Sequence, residues 1–289
     1  MKFNFRDILN FVKFPISISV SISSILGYIL ATNSVNFELL ILWFAIFLLA
    51  SGSSGLNQVQ EWQFDGNMQR TRNRPIPRKV FSVGFGLFLS LSFIFLGLTF
   101  LFVIKGISFP LFLGIGAIII YNLIYTPLKR STPFAALPGA FIGAIPPMIG
   151  WTFAGGEFLH PLNISIAIFF FIWQIPHFWL LLIVYETDYR NAGFPVLTDL
   201  LNPLQIARLS FVWIVSLVVV ALLIIGLLDK FSIPSFITVF LLGCFLLARI
   251  HRMVKVVQPQ KFYKLAFLNL NMFVLFYTLI LSFQKILNF

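Results

Sequence analysis

Asn57, Glu61 and Asp65 stand four residues apart in the run Asn57-Gln-Val-Gln-Glu61-Trp-Gln-Phe-Asp65. On a helix, positions four and eight apart stay within about 80° of one another, so the three oxygen donors share a face. Hard oxygen ligands on one face, completed by water and substrate oxygens, are what Mg²⁺ takes when it bridges a protein and a phosphate. Met68, Arg70, Thr71, Arg72, Arg74 and Pro75 follow directly. Guanidinium groups give phosphate oxygens the paired N–H donors that carboxylates cannot supply. The pattern is that of a metal–phosphate site. A solvated loop whose acids merely balance its arginines is the competing reading. It fits less well with carboxylates so close to a long apolar run and with the small-residue approach Ser51-Gly-Ser-Ser-Gly55.

Two further clusters carry reactive side chains. In Tyr125-Thr-Pro-Leu-Lys129-Arg130-Ser-Thr132, a phenol and two adjacent cations could close over a diphosphate. Alone, Lys129 and Arg130 read equally well as membrane-surface anchors; beside the first cluster they become candidate ligands. The third reads Trp173-Gln174-Ile-Pro176-His177-Phe178-Trp179, then Glu186-Thr-Asp188-Tyr189-Arg190. Asp188 follows His177 by eleven residues, close to three helical turns, so an unbroken helix would point both the same way with His177 about 16 Å deeper. His177 is thus a candidate cavity residue, although a core histidine with a satisfied hydrogen bond fits the spacing at least as well. His160 and His251 have no neighbours that suggest a metal site.

The elements that must position these residues follow from composition. The chain is 59% hydrophobic, holds 37 phenylalanines and is only 10% charged, which places it in a bilayer. A spanning helix needs about 20 mostly apolar residues, and such runs lie near 14–32, 38–56, 81–103, 107–125, 135–153, 163–184, 206–227, 232–249 and 265–285. They are too long, and too apolar on every face, for barrel strands of about 10 residues. The expectation is an all-α polytopic membrane protein, nine transmembrane helices around a central cavity, with residues 1–289 as a single domain. The first run is read as a retained helix because it lacks a signal-peptide cleavage pattern. Its stripe Ser17, Ser21, Ser24 and Gly27 predicts close approach of another helix. The acidic stretches after the second and sixth runs suggest two related halves facing across the cavity.

The net charge of +11 invites a nucleic-acid reading that its distribution excludes. With the N terminus in the cytoplasm, Lys2, Arg6, Lys13 and the other basic residues face inward, all but Lys105, Lys230 and Lys285 of the twenty. The excess serves topology and lipid headgroups. Cys244, the single cysteine, falls in an apolar run and is read as inert packing, with no disulfide framework in one chain.

With these residues in view, the chain resembles the UbiA superfamily of intramembrane aromatic prenyltransferases over nearly its whole length, and within it the branch that prenylates heme. The first acidic motif of that branch, N-x-x-x-E-x-x-x-D followed by M-x-R-T-x-x-R-P, is matched by Asn57, Glu61, Asp65, Met68, Arg70, Thr71, Arg74 and Pro75. Tyr125 and Lys129 match Y-x-x-x-K, and Leu128 to Thr132 match L-K-R-x-T. Trp173 to Phe178 match W-Q-x-P-H-F, and Asp188 to Gly193 match D-Y-x-x-A-G. The superfamily's second motif is commonly D-x-x-x-D, but Ala192 stands four after Asp188; Glu186 could contribute there, or Asp188 could act alone with water.

The resemblance implies farnesyl diphosphate and heme b as substrates, Mg²⁺ as cofactor, and a product taken over by a heme A-forming enzyme. It assigns metal binding to Asn57, Glu61, Asp65 and Asp188, the acids serving catalysis, and substrate binding to Asn57, Arg70, Arg74, Tyr125, Lys129, Arg130, Arg190 and His177, the last as a heme contact. It also implies a bacterial inner-membrane location with the active site facing the cytoplasm. A prenyltransferase for a quinone precursor would share the diphosphate site but need another acceptor pocket. A transporter would place its acids at the membrane midplane instead of together at one face.

Overall fold

The computed structural model describes residues 4–287, whose only regular secondary structure is helix, with no strand among them. Lys2 lies outside the described residues. Among the described residues nine spans are long and apolar enough to cross a membrane, as expected, but the two that bear the acidic motifs overrun their apolar segments.

A short helix α1 (Phe5–Phe11) precedes the first span and is held by a capping box of Asn4 and Asp7. Lys13 then takes a left-handed conformation, φ 47° and ψ 52°, to turn the chain into α2 (Phe14–Thr32). α3 (Phe37–Gly66) begins where the Asn36 side chain accepts the Leu39 amide and runs for 30 residues. At 1.5 Å per residue that is about 45 Å, longer than a hydrocarbon layer of about 30 Å, so its last turns stand out of the apolar zone. Residues 57–66, beyond the apolar run that ends near 56, are therefore a continuation of the same helix. Hydropathy marks where a helix leaves lipid, not where it ends.

α4 (Val83–Lys105) packs on α3. α5 (Phe109–Ile118) passes into a π-helical turn at Ile119–Tyr125 and a last turn α6 (Thr126–Leu128). α7 (Ala136–Phe153) lies between α2 and α8 (Pro161–Asn191). α9 (Pro203–Gly226), α10 (Ile233–Ile250) and α11 (Gln260–Leu287) complete the bundle, α11 packing on both α8 and α2. α4, the α5–α6 span and α10 keep most of their apolar surface outside, with no more than 22% of their spans buried. They form the lipid-facing shell around α2, α3, α7, α8, α9 and α11.

The small-residue stripe of α2 does what its spacing predicts. Ser17, Ser21 and Ser24 are fully buried, and a methyl group at Gly27 would overlap the carbonyl oxygen of Pro147 on α7. Reciprocally, one at Gly150 would overlap the carbonyl of Ser24. Gly150→Ala is therefore expected to push α2 and α7 apart and cost about 3 kcal/mol, read as a lower melting temperature in detergent. Gly116→Ala, where a methyl meets nothing, should leave it unchanged.

Two expectations are corrected. Tyr185 has non-helical angles, φ −117° and ψ 22°, inside α8, so the helix is kinked between His177 and Asp188 and their shared phase is lost. Cys244 is exposed on α10 instead of packed inside.

Candidate active site

The last turns of α3 bury Asn57, Glu61 and Asp65 to 2–3% exposure. The Asn57 Nδ2 donates to Glu61 Oε2 at 2.9 Å, so the four-residue spacing does put these groups on one face. Each carboxylate meets a cation from another segment. Lys129 Nζ lies 2.6 Å from Glu61 Oε2, and Arg74 spans both oxygens of Asp65 at 2.9 and 2.7 Å. Arg74 arrives because residues 67–81 fold back in tight turns; Thr71 donates to the Asp65 carbonyl and the Arg74 amide to the Thr71 carbonyl.

The π-helical turn aims a second set of polar groups at α3. A widened turn rotates the residues after it relative to an α-helix, and such turns recur at functional sites. Here Thr126 accepts from Asn57 Nδ2 at 3.2 Å, Asn122 Nδ2 donates to the Ser53 carbonyl and Gln60 Nε2 to the Asn122 carbonyl. Asn122 and Thr126 are fully buried. The same turn brings the Tyr121 hydroxyl inward.

Lys13 completes the cluster. Its Nζ donates to Asn57 Oδ1 at 3.0 Å and to Tyr121 Oη at 3.4 Å. Burial, then the nearby cations Arg74 and Lys129, hold its pKa well below the ordinary lysine value. Positive φ is uncommon for a residue with a side chain; here it belongs to the turn that carries this ammonium from the α1–α2 junction into the site. Sequence reasoning read Lys13 only as a cytoplasmic anchor, since no local signal separates a cation that turns inward from one that meets headgroups.

The second acidic stretch reaches the same end of the bundle. Asp188 Oδ2 accepts the Arg70 amide at 3.0 Å, five residues past Asp65, and Met68, Phe64, Tyr189, Ala192 and Phe194 pack around that junction. The Arg70 guanidinium lies over the rings of Tyr185 and Tyr189. The other candidates are held differently. Arg130 donates to the Gln60 carbonyl at 2.6 Å and covers Phe64. Arg190 is paired with Glu186 and Asp199 at 3.1 and 2.7 Å, and Glu186 also accepts from Thr198. The structure does not bring Arg190 or Glu186 to the Glu61–Asp65 cluster.

From this charged end an aromatic wall leads inward. Tyr121 stacks on Tyr125 with centroids 5.8 Å apart, and Tyr125 on Phe178 at 5.6 Å, while Lys129 faces the Tyr125 ring at 5.7 Å. Beyond Phe178 lies His177, among Trp173 and Phe267 at 4.8 and 4.7 Å. Gly139 makes the wall possible, because any side chain there would press on Tyr125 and Phe178.

The comparisons with known proteins bear on what such a site does. Residues 20–274 match the UbiA prenyltransferase family. The chain belongs to that family. A relative from Nitratidesulfovibrio vulgaris (strain DP4), protoheme IX farnesyltransferase, is 36% identical over 75% of this chain and 76% of its own length. Among solved structures, a digeranylgeranylglyceryl phosphate synthase shares the fold with TM-score 0.77 and 14% identity, over 97% of this chain and 98% of that one. A UbiA homolog from Archaeoglobus fulgidus bound to GPP and Mg²⁺ gives TM-score 0.66 and 13% identity, over 96% and 99%.

In this UbiA-family chain the donor set fits a magnesium ion that shares its coordination with a substrate. Glu61 Oε1 is buried with no hydrogen-bond partner among the described residues, a lone pair left for a cation. Among the described residues no three Asp, Glu, His or Cys side chains converge, so Glu61, Asp65 and Asp188 do not make a cage by themselves. Mg²⁺ commonly takes one or two carboxylates and fills the remainder with water and phosphate oxygens.

Proposed function

We propose that this chain transfers the farnesyl group of farnesyl diphosphate to a vinyl group of heme b, giving heme O. The observation that carries the reading is the buried cluster at the end of α3, where Lys129 pairs with Glu61, Arg74 pairs with Asp65 and Lys13 donates to Asn57. Two cations pair the two carboxylates, and Lys13 with Arg70 and Arg130 at the rim adds further N–H donors, which suits a magnesium diphosphate of net negative charge. Support for the acceptor comes from the relative named protoheme IX farnesyltransferase, and for the donor and metal from the archaeal fold neighbour solved with GPP and Mg²⁺.

Glu61, Asp65, Asn57 and Asp188 would hold the metal, which when bound neutralises charge growing on the leaving diphosphate. Lys13, Lys129 and Arg74, with Arg70 and Arg130 at the rim and Tyr125 above Lys129, grip the phosphate oxygens as the C1–O bond breaks and its electron pair leaves with the diphosphate. Arg190, tied to Glu186 and Asp199, reaches the phosphate only by exchanging these partners. The allylic cation lies along Tyr125 and Phe178, whose ring faces favour positive charge and whose apolar surroundings keep water away. The vinyl π electrons then form the new C–C bond. Water captures the resulting benzylic-type cation and loses a proton, leaving a hydroxyethylfarnesyl substituent. His177 contacts the acceptor.

Residues 1–289 act as one membrane domain in a bacterial inner membrane, with the N terminus and site in the cytoplasm, because the cluster lies at the end where basic residues gather. The product passes to a heme-oxidising enzyme. Pigments extracted from cells expressing the chain should contain heme heavier by one farnesyl group and one hydroxyl group. Unmodified heme, with a farnesylated aromatic acid in its place, would overturn the assignment in favour of a quinone-type acceptor.

Lys13 gives a separable prediction. Glycine accepts a left-handed conformation without cost, so Lys13→Gly should keep the melting temperature within a few degrees while lowering kcat/KM about 100-fold. Unchanged turnover would remove Lys13 from the site.

A further inference from the structure

Asn271 on α11 is tied to the turn before it, its Nδ2 donating to the Phe267 carbonyl at 2.7 Å. That bond fixes which way the amide faces, since turning it over would set two oxygens against each other. Its Oδ1, which can only accept, therefore faces His177 Nδ1 at 3.0 Å. Nδ1 must carry the proton, and in a neutral imidazole that leaves Nε2 with its lone pair. Among the described residues Nε2 has no hydrogen-bond partner, and the ring is half-buried. Trp173, Phe178 and Phe267 hold the ring on three sides, so its direction is fixed as well as its tautomer. One turn before His177, the Trp173 indole N–H is buried without an acceptor. A polar pair built this way at the inner end of an aromatic wall exceeds what packing needs, because a buried N–H or lone pair left unmatched costs about 1–3 kcal/mol.

Resting on the reading of this chain as a heme prenyltransferase, we propose that Asn271 is a positioning residue that presents His177 Nε2 as a ligand to the iron of the porphyrin acceptor. Metal-binding histidines characteristically donate their second N–H to a fixed oxygen, which sets the tautomer and raises the basicity of the ligating nitrogen. The Asn271 amide oxygen has that place here. The acceptor is then anchored at one end of the wall Phe178–Tyr125–Tyr121, and the diphosphate cluster with Lys13 and Lys129 stands at the other. Axial ligation fixes the distance of the porphyrin from the wall, while rotation about the iron–nitrogen bond selects which vinyl group meets the cation.

The test is a titration of the purified full-length protein in lipid nanodiscs with ferric heme b, followed by absorption and electron paramagnetic resonance. Wild type should show a histidine-ligated spectrum. Asn271→Leu should weaken heme binding about 10- to 100-fold and lose that signature, yet bind farnesyl diphosphate normally, which shows that it is folded. Asn271→Asp, whose carboxylate also accepts from Nδ1, should restore ligation and shift the iron potential negative. If Asn271→Leu keeps the affinity and spectrum of wild type while His177→Ala loses both, Asn271 does not position the ligand. If His177→Ala keeps the wild-type spectrum while wild type farnesylates heme, the iron-ligand proposal falls and the function stands. If wild type neither binds nor farnesylates heme, the function falls with it.

Discussion

Asp65→Asn is expected to lower prenyl transfer by about 10³-fold or more. The side chain keeps its shape but loses the charge that serves two partners, the guanidinium of Arg74 at 2.7 Å and the proposed magnesium ion. Removing one well-placed donor at a developing charge costs about 10² to 10³ in rate, and loss of a metal ligand adds to that. A fold effect must be separated from this, because Arg74 is mostly buried and would lose its pair. Breaking such a pair costs about 3 kcal/mol, so melting should be measured alongside turnover. The variant should still fold and still bind heme but no longer ionise farnesyl diphosphate. Turnover within threefold of wild type would mean that Asp65 is only a salt-bridge partner.

Withdrawal of divalent cations should have an equal or larger effect. In the structure Lys129 and Arg74 are already engaged by Glu61 and Asp65, so an incoming diphosphate finds two of its cations occupied. A magnesium ion on the carboxylates would release both for phosphate, an exchange that no monovalent ion drives as well. Chelation should therefore abolish turnover by at least about 10³-fold, and Mg²⁺ or Mn²⁺ should restore it. Heme binding should not change, since His177 lies beyond Phe178 on the far side of the aromatic wall. Retained activity in chelator would contradict the metal assignment.

These residues differ in how far the sequence disclosed them. Asn57, Glu61 and Asp65 were legible because helix periodicity is local: their mutual face depends on nothing beyond residues 57–65. The nine spans were legible because lipid imposes a minimum apolar length. The extension of α3 to Gly66 was not, since polar residues outside the lipid carry no hydropathy mark of helix. Lys13 stayed hidden because its role depends on a left-handed turn and on Asn57, 44 residues away. The π-helical turn was equally hidden; its sequence Ile119–Tyr125 reads as ordinary apolar helix, and only packing against α3 shows the rotation. Phase arithmetic misled at His177 and Asp188 because Tyr185 interrupts α8. Arg190, which the resemblance places with the phosphate ligands, is engaged by Glu186 and Asp199, a pairing that its residue type and position do not show. The residues that sequence found are those whose relation is local, and those it missed are joined by tertiary contact.

The central claim, that Glu61 and Asp65 share one divalent ion with the diphosphate, is open to direct spectroscopy. Mn²⁺ can replace Mg²⁺, and farnesyl thiodiphosphate, which ionises slowly, can replace the substrate. Pulsed electron paramagnetic resonance of the complex should show phosphorus-31 coupling to a tightly held Mn²⁺, and the doubly substituted Glu61→Gln, Asp65→Asn protein should lose both the coupling and the bound ion. The same coupling at the same Mn²⁺ affinity in that double variant would place the metal elsewhere and contradict the account.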